Sequence, residues 1–125
     1  MRLTKENKQD IEKYILNSID SENYNIILEN EKQKLEFVYN TFINEFGFRI
    51  KQIGLYSAFS EYLQGLPSCI NIDFYNYKIL ELAQSWGQEV ETEKQQDKVI
   101  NQWFDFITNQ FFKLCKKYKI ELKEV

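Results

Sequence analysis

The sequence lacks histidine, and its 125 residues include only two cysteines, one proline and four glycines. Without histidine, an imidazole-based catalytic triad, a histidine general base and a histidine-ligated zinc or haem are all excluded. Cys69 and Cys115 lie far apart and match no metal-binding spacing. Each cysteine has apolar neighbours, so we expect reduced, buried thiols rather than a disulfide. We therefore predict no cofactor, no metal site and no enzymatic activity.

Long apolar runs are also missing. No stretch of about 18 apolar residues is available to cross a bilayer, and the N-terminal sequence MRLTKENKQD has no signal-peptide core. These features predict a cytoplasmic protein without membrane contact. The formal charge is −3, and both signs are interspersed along the chain, which disfavours a dedicated nucleic-acid binder.

The apolar content is high enough for one buried core. Hydrophobic residues make up 43% and aromatic residues 16% of the chain, and a chain of this length buries roughly two-thirds of its unfolded surface. Apolar residues recur mostly at steps of three and four. We predict a single helical domain over residues 1–125, an all-α bundle of four to six helices. At most it has a minor β pairing between residues 48–53 and the tail, 120–125.

The N-terminal half predicts two helices. The first begins after Thr4 as N-cap and ends in the turn residues 17–23. The second covers residues 29–46, and Gly47 stands where a C′ glycine belongs. Between them, residues 24–28 form a short apolar patch whose secondary structure the pattern does not settle.

Residues 54–87 contain only four charged side chains and three of the four glycines. This segment predicts two helices that meet at residues 65–68, because Gly65 and Pro67 stop the first helix. Residues 68–72 form an extended crossing, and Asn71 or Asp73 caps the second helix. Apolar residues surround much of that second helix, so we expect it to be central.

The strongest helical period runs over residues 93–118. Thr92 and Gln95 have the spacing of a capping box. Acidic residues gather at the start of this helix and lysines at its end, as the helix dipole favours.

Three carboxylates, Glu61, Asp73 and Glu81, lie in the segment of low charge. Paired carboxylates serve acid–base chemistry or hold Mg²⁺, but no nucleophile with an adjacent base accompanies them. We favour structural roles, with Asp73 as a helix cap and the two glutamates facing water.

A set of tyrosines marks the candidate partner-binding surface: Tyr56, Tyr62, Tyr75 and Tyr77. Tyrosine is enriched at interfaces because it combines a large apolar ring with a polar tip. The competing interpretation places several of these rings in the core, and Tyr56 and Tyr75 are the two that we expect to face outward.

A lysine cluster gives an alternative, a small RNA- or DNA-binding regulator: Lys113, Lys116, Lys117 and Lys119. Clustered ammonium groups displace counterions from phosphates, and the nearby aromatic residues stack on bases. The simpler interpretation is a solvated last helical turn that complements the helix dipole.

Several short motifs carry a resemblance over residues 54–118. They are YSAF at 56–59, YLQGLPS at 62–68, NI at 71–72, FYNY at 74–77, ILELA at 79–83, WG at 86–87, EKQQDK at 93–98 and NQWF at 101–104. The chain resembles small helical proteins of unassigned function from bacterial phages and mobile elements. That resemblance implies an accessory protein that binds and blocks a host defence complex. Its concrete form is an anti-CRISPR protein that acts on an RNA-guided, RNA-targeting effector nuclease.

Overall fold

Six α-helices make up most of the chain in a computed structural model, which describes residues 2–122 and, for residues 72–78, the backbone alone. The helices are α1 (Lys5–Ser18), α2 (Glu31–Phe46), α3 (Ile50–Ile53), α4 (Leu55–Gln64), α5 (Ile72–Ser85) and α6 (Glu93–Lys117). A short 3₁₀ turn, Glu22–Tyr24, lies between α1 and α2, and a second, Gly47–Arg49, lies between α2 and α3. The predicted all-α bundle is confirmed.

Helix α6 is the central element of the bundle. It packs against α1, α2, α4 and α5. The prediction that α5 is central is wrong for the described side chains. Only Ile79 and Ala83 of α5 are fully buried there, one helical turn apart on a single face. Buried residues on α6 instead include the neighbouring rings of Phe111 and Phe112. Both contact Phe59 of α4, and Phe112 also contacts Tyr39 of α2.

The predicted caps of α1 and α6 are confirmed. Thr4 accepts a hydrogen bond from the backbone N–H of Asn7, and the Asn7 side chain accepts one from the N–H of Thr4. Thr92 and Gln95 form the same reciprocal pair at 3.1 and 3.0 Å. These boxes satisfy N–H groups that have no partner inside the helix.

Residues 47–53 differ from the sequence prediction. Gly47 has right-handed helical angles (φ −60°, ψ −27°), so it is not a left-handed C′ residue. The chain continues through a 3₁₀ turn and α3, and it reverses only at Gly54, whose φ of 88° suits glycine. The predicted pairing of residues 48–53 with the tail is therefore wrong, because helical residues do not offer a strand edge.

The crossing between α4 and α5 is tied to the end of α1. Helix α4 ends at Gln64, before Gly65 and Pro67, as predicted, and Leu66 has a left-handed φ of 54°. Ile70 forms an isolated antiparallel bridge with Ile19. The N–H of Asp20 donates to the Cys69 carbonyl at 2.8 Å, on one side of this bridge. Helix α5 begins at Ile72, so Asn71 precedes it and Asp73 lies inside it; the side chain of Asp73 is outside the described residues.

A cluster of aromatic rings holds α2, α4 and α6 together. Phe59 of α4 stacks on Phe111 of α6 at 4.4 Å and meets Phe42 of α2 edge-on at 5.1 Å. Cys69 and Cys115 are both free and buried, in agreement with the prediction.

Candidate functional site

The predicted tyrosine surface divides into an exposed and a buried part. Tyr56 is 52% exposed, as expected. Tyr62 is only 6% exposed, so its assignment to a partner-binding surface is wrong. The side chains of Tyr75 and Tyr77 lie outside the described residues.

Tyr62 is buried because it shares one face of α4 with Ala58, Phe59 and Leu63. Its hydroxyl lies 3.4 Å from the Sγ atom of Cys69, beneath the crossing that follows α4. Burial, followed by this contact, raises the pKa of Tyr62 well above its ordinary value. Tyr62 therefore belongs to the core.

The carboxylates do not assemble a chemical site among the described residues. Glu61 does not simply face water, because it forms an ion pair with Arg49 at 2.9 Å. Glu81 is exposed. The described part of the chain has no group of three or more Cys, Asp or Glu side chains arranged to hold a metal ion.

The first candidate site is a groove of about 550 Å³, here called the Ile27 groove, between residues 24–28 and one face of α2. The lining residues are Tyr24, Ile26, Ile27, Leu28, Gln33, Glu36, Phe37, Asn40, Thr41, Asn44 and Glu45. Sequence reasoning missed this groove. The feature of the sequence that could have indicated it is the apolar run at residues 26–28. This run lies between turn residues and is too short to form one face of a helix.

The Ile27 groove has an ordered aromatic wall. Tyr24 meets Phe37 edge-on, with ring centroids 5.2 Å apart. The Tyr24 hydroxyl donates to the Glu45 carboxylate at 3.0 Å. Burial, followed by the hydrogen bond to Glu45, raises the pKa of Tyr24 above its ordinary value.

The segment that borders this groove is fixed at both ends and open in the middle. The Ser21 hydroxyl donates to the Ile26 carbonyl at 2.7 Å, and the Glu29 N–H donates to Gln33 Oε1 at 2.8 Å. The backbone groups of Ile27 and Leu28 have no hydrogen-bond partner among the described residues. The Ile27 side chain is 87% exposed. A segment held by a hydrogen bond at each end thus presents the Ile26 and Ile27 side chains to solvent.

The second candidate site, here called the Tyr56 groove, has a volume of about 390 Å³. It is lined by Arg2, Leu3, Lys8, Tyr56, Phe106, Asn109, Gln110 and Lys113. The structure therefore brings Tyr56 of the predicted partner surface next to Lys113 of the alternative lysine cluster. The remaining lysines of that cluster, Lys116, Lys117 and Lys119, are exposed but do not line the groove.

Comparisons with known proteins give no further guide to function. The chain matches no protein-family model, no curated protein sequence and no solved structure. The resemblance to small phage proteins stays a prediction. Among residues 2–122, no helix has the length and apolar character needed to cross a membrane.

Proposed function

We propose that this chain is a non-catalytic protein-binding protein whose Ile27 groove takes an extended, basic segment of a partner protein. The observation that carries the proposal is the 87% exposure of Ile27 beside backbone groups that lack a partner. Such a segment is bordered by a groove large enough to accept side chains of the partner.

The apolar side of the groove supplies affinity. Burying an exposed isoleucine side chain stabilises a complex by about 1.5–3 kcal/mol, and Ile26 and Leu28 extend the same surface. Isolated exposed apolar residues are common on proteins, but here two consecutive ones, Ile26 and Ile27, border a concave site beside the partly buried Leu28.

The backbone of the segment determines the conformation of the partner. Unpaired N–H and C=O groups are completed by a chain that runs alongside them, as in proteins that bind a peptide as an added strand. Ile27 and Leu28 offer these groups, and the side-chain hydrogen bonds at Ile26 and Glu29 hold the segment in place. An extended peptide therefore fits better than a helix, whose backbone groups are already paired.

The charge of the groove determines the composition of the partner. Glu36 and Glu45 line it, and no lysine or arginine of residues 2–71 or 79–122 does. Residues 20–45 contain six carboxylates and two lysines, a net charge of −4, whereas the whole chain carries −3. Such a field attracts a basic segment and repels an acidic one.

The resemblance to phage accessory proteins extends this proposal to a host defence complex. An RNA-guided effector nuclease must present basic segments to its nucleic acids, because phosphate contacts require lysine and arginine. An acidic groove that captures such a segment competes with the nucleic acid. Inhibition of an RNA-targeting CRISPR effector is the specific form of this proposal.

The binding mode is tested by selecting decapeptides from a random library on the immobilised protein. We expect sequences in which apolar residues alternate with lysine or arginine. Ile27→Ser should weaken binding of a selected peptide by about 10- to 150-fold, the loss of one buried isoleucine. Phe48→Ser is the matched control, since Phe48 is 65% exposed but lies outside the groove. Acidic consensus peptides, or equal effects of the two substitutions, would refute the mode.

The host target is tested separately with a purified, guide-loaded RNA-targeting effector. Adding the protein at one equivalent should stop cleavage of a labelled target RNA, and Ile27→Ser should restore it. Full cleavage at tenfold excess would remove this target class while leaving the peptide result intact.

A further inference from the structure

We infer that the Tyr56 groove is a binding site for single-stranded nucleic acid, with a base stacked on Tyr56 and the adjoining phosphates held by Arg2, Lys8 and Lys113. This site is separate from the Ile27 groove and shares no lining residue with it. It would give the protein a second ligand class beside its protein partner.

Tyr56 is built as a stacking platform. One face of its ring lies on Phe112, with centroids 4.6 Å apart and planes 27° from parallel. Phe112 is itself buried and meets Phe59 and Tyr39 edge-on, so the support is rigid. The tyrosine ring nevertheless remains 52% exposed, which leaves its other face for a ligand. Stacking on a held aromatic ring is the sequence-tolerant interaction by which proteins bind unpaired bases.

The cations of the groove come from two helices and the N-terminal segment. Arg2 and Lys8 approach from the α1 side, and Lys113 approaches from α6. Among the described residues, no carboxylate lines this groove. On α6, Lys116 and Lys117 follow Lys113 at three and four residues, so the positive surface continues along the same face of the helix. Local charge, and not the net charge of the whole protein, decides whether a phosphate binds here.

A second groove, of about 480 Å³, adjoins the first at Tyr56. Tyr56 and Asn109 belong to both grooves, while Ser57, Ser60 and Gln64 supply hydroxyl and amide groups. Asp105 is the one carboxylate there and repels a phosphate. These charges set the orientation of the bound strand: its phosphates lie on the side of Lys113, and its base edges lie on the side of the serines.

The wall of the cationic groove is also polar and fixed. Gln110 lines it although its side chain is only 2% exposed, and Asn109 beside it is exposed. The exposed Asn109 amide donates and accepts hydrogen bonds, so it can satisfy base and sugar atoms, whereas the buried Gln110 forms the floor of the groove. A duplex does not fit this site, because its bases are already stacked on both faces.

The test is fluorescence anisotropy of a labelled 12-nucleotide single-stranded RNA across a range of salt concentrations. With three neutralised phosphates, log K should fall against log salt with a slope of about −2, since each contact contributes about −0.7. Lys113→Gln should reduce the slope by about 0.7, while Lys98→Gln, at an exposed position of the same helix, should leave it unchanged. The same RNA as a duplex should bind at least tenfold more weakly.

Stacking is tested at Tyr56. Tyr56→Phe should retain the affinity, whereas Tyr56→Ala should weaken it about tenfold or more. Thermal unfolding of both variants shows whether they remain folded, and Lys113→Gln provides a readout that does not disturb the core.

The inference is overturned if the wild-type protein does not bind the RNA, if Tyr56→Ala and Lys113→Gln bind as wild type, or if an abasic strand binds equally well. Single-stranded DNA of the same sequence, run in parallel, identifies which strand is preferred. Ile27→Ser should leave RNA binding unchanged, so failure here and failure of the protein-binding proposal are distinguishable.

Discussion

Replacing Phe59 by alanine should destabilise the fold more than any single surface change. Phe59 is 1% exposed and lies where α2, α4 and α6 meet. Its ring contacts Phe42 at 5.1 Å, Phe111 at 4.4 Å and Phe112 at 5.2 Å. Deleting a buried phenylalanine costs about 3–5 kcal/mol, and each aromatic pair adds about 0.5–1.5 kcal/mol beyond area burial. Because Phe59 makes several such contacts, we expect a loss of about 4–5 kcal/mol in the free energy of unfolding.

Phe48→Ala is the matched control, because the substitution is the same at a residue that is 65% exposed. Among the residues that the structure describes, Phe48 has one ring neighbour, Phe46 at 5.4 Å, so its loss should cost less than about 1 kcal/mol. Urea unfolding followed by far-UV circular dichroism measures both variants. If the two cost the same, or if Phe59→Ala costs less than about 2 kcal/mol, α4 does not dock through this cluster and the position of Tyr56 is wrong.

Three further predictions concern stability. Burial raises the pKa of Cys69 from an ordinary 9.0 to about 11 and that of Cys115 to about 12. As the pH rises, the thiols of the unfolded chain ionise before those of the folded protein. The free energy of unfolding should therefore fall between about pH 9 and 11, by at most about 1.4 kcal/mol per pH unit for each thiol. Urea unfolding at pH 8 and 10 measures this change, and a rise with pH would contradict the prediction. Thr92→Ala should cost about 1 kcal/mol in the same urea assay through the lost capping box, and Thr92→Ser should not. Glu61→Gln should cost less than about 1 kcal/mol, because the pair with Arg49 is partly solvated; a larger loss would show that the pair is structural.

Local signals in the sequence were sufficient to predict the starts of α1 and α6. Thr4 and Thr92 cap helices as predicted because a capping box depends only on residues three positions apart. The end of α4 was also predictable, since Gly65 lowers helix propensity and Pro67 disfavours the helical conformation in the residue before it. The positive φ of Leu66 does not follow from the proline rule, which favours an extended residue.

The end of α2 and the identity of the central helix depend on other parts of the chain, so local signals did not predict them. A glycine such as Gly47 after an amphipathic helix is typical of a helix end. The next residues nevertheless continue as helical turns, so the glycine with positive φ is Gly54 instead. The central position of α6 depends on which faces the other helices present. Apolar residues around α5 did not reveal this arrangement.

The candidate sites likewise combine local features that the sequence predicts with contacts between distant residues that it does not. The exposure of Tyr56 agrees with its place off the buried face of α4, whereas Tyr62 lies on that face. Arg2 and Lys8 are about 50 or more residues from Tyr56 in the chain, so no spacing rule joins them. The Ile27 groove depends on unpaired backbone groups, which no side-chain pattern encodes.

Amide hydrogen exchange at Ile27 and Leu28, measured by NMR with and without a selected basic peptide, tests the protein-binding proposal most directly. In the free protein both amides should exchange at the rate of an unprotected chain, because they have no hydrogen-bond partner, whereas the amide of Asp20, bonded at 2.8 Å, should be protected. Saturating peptide should slow at least one of the two amides and leave Asp20 unchanged. Protection of both amides in the free protein, or unchanged exchange in the complex, would contradict the proposed mode of binding.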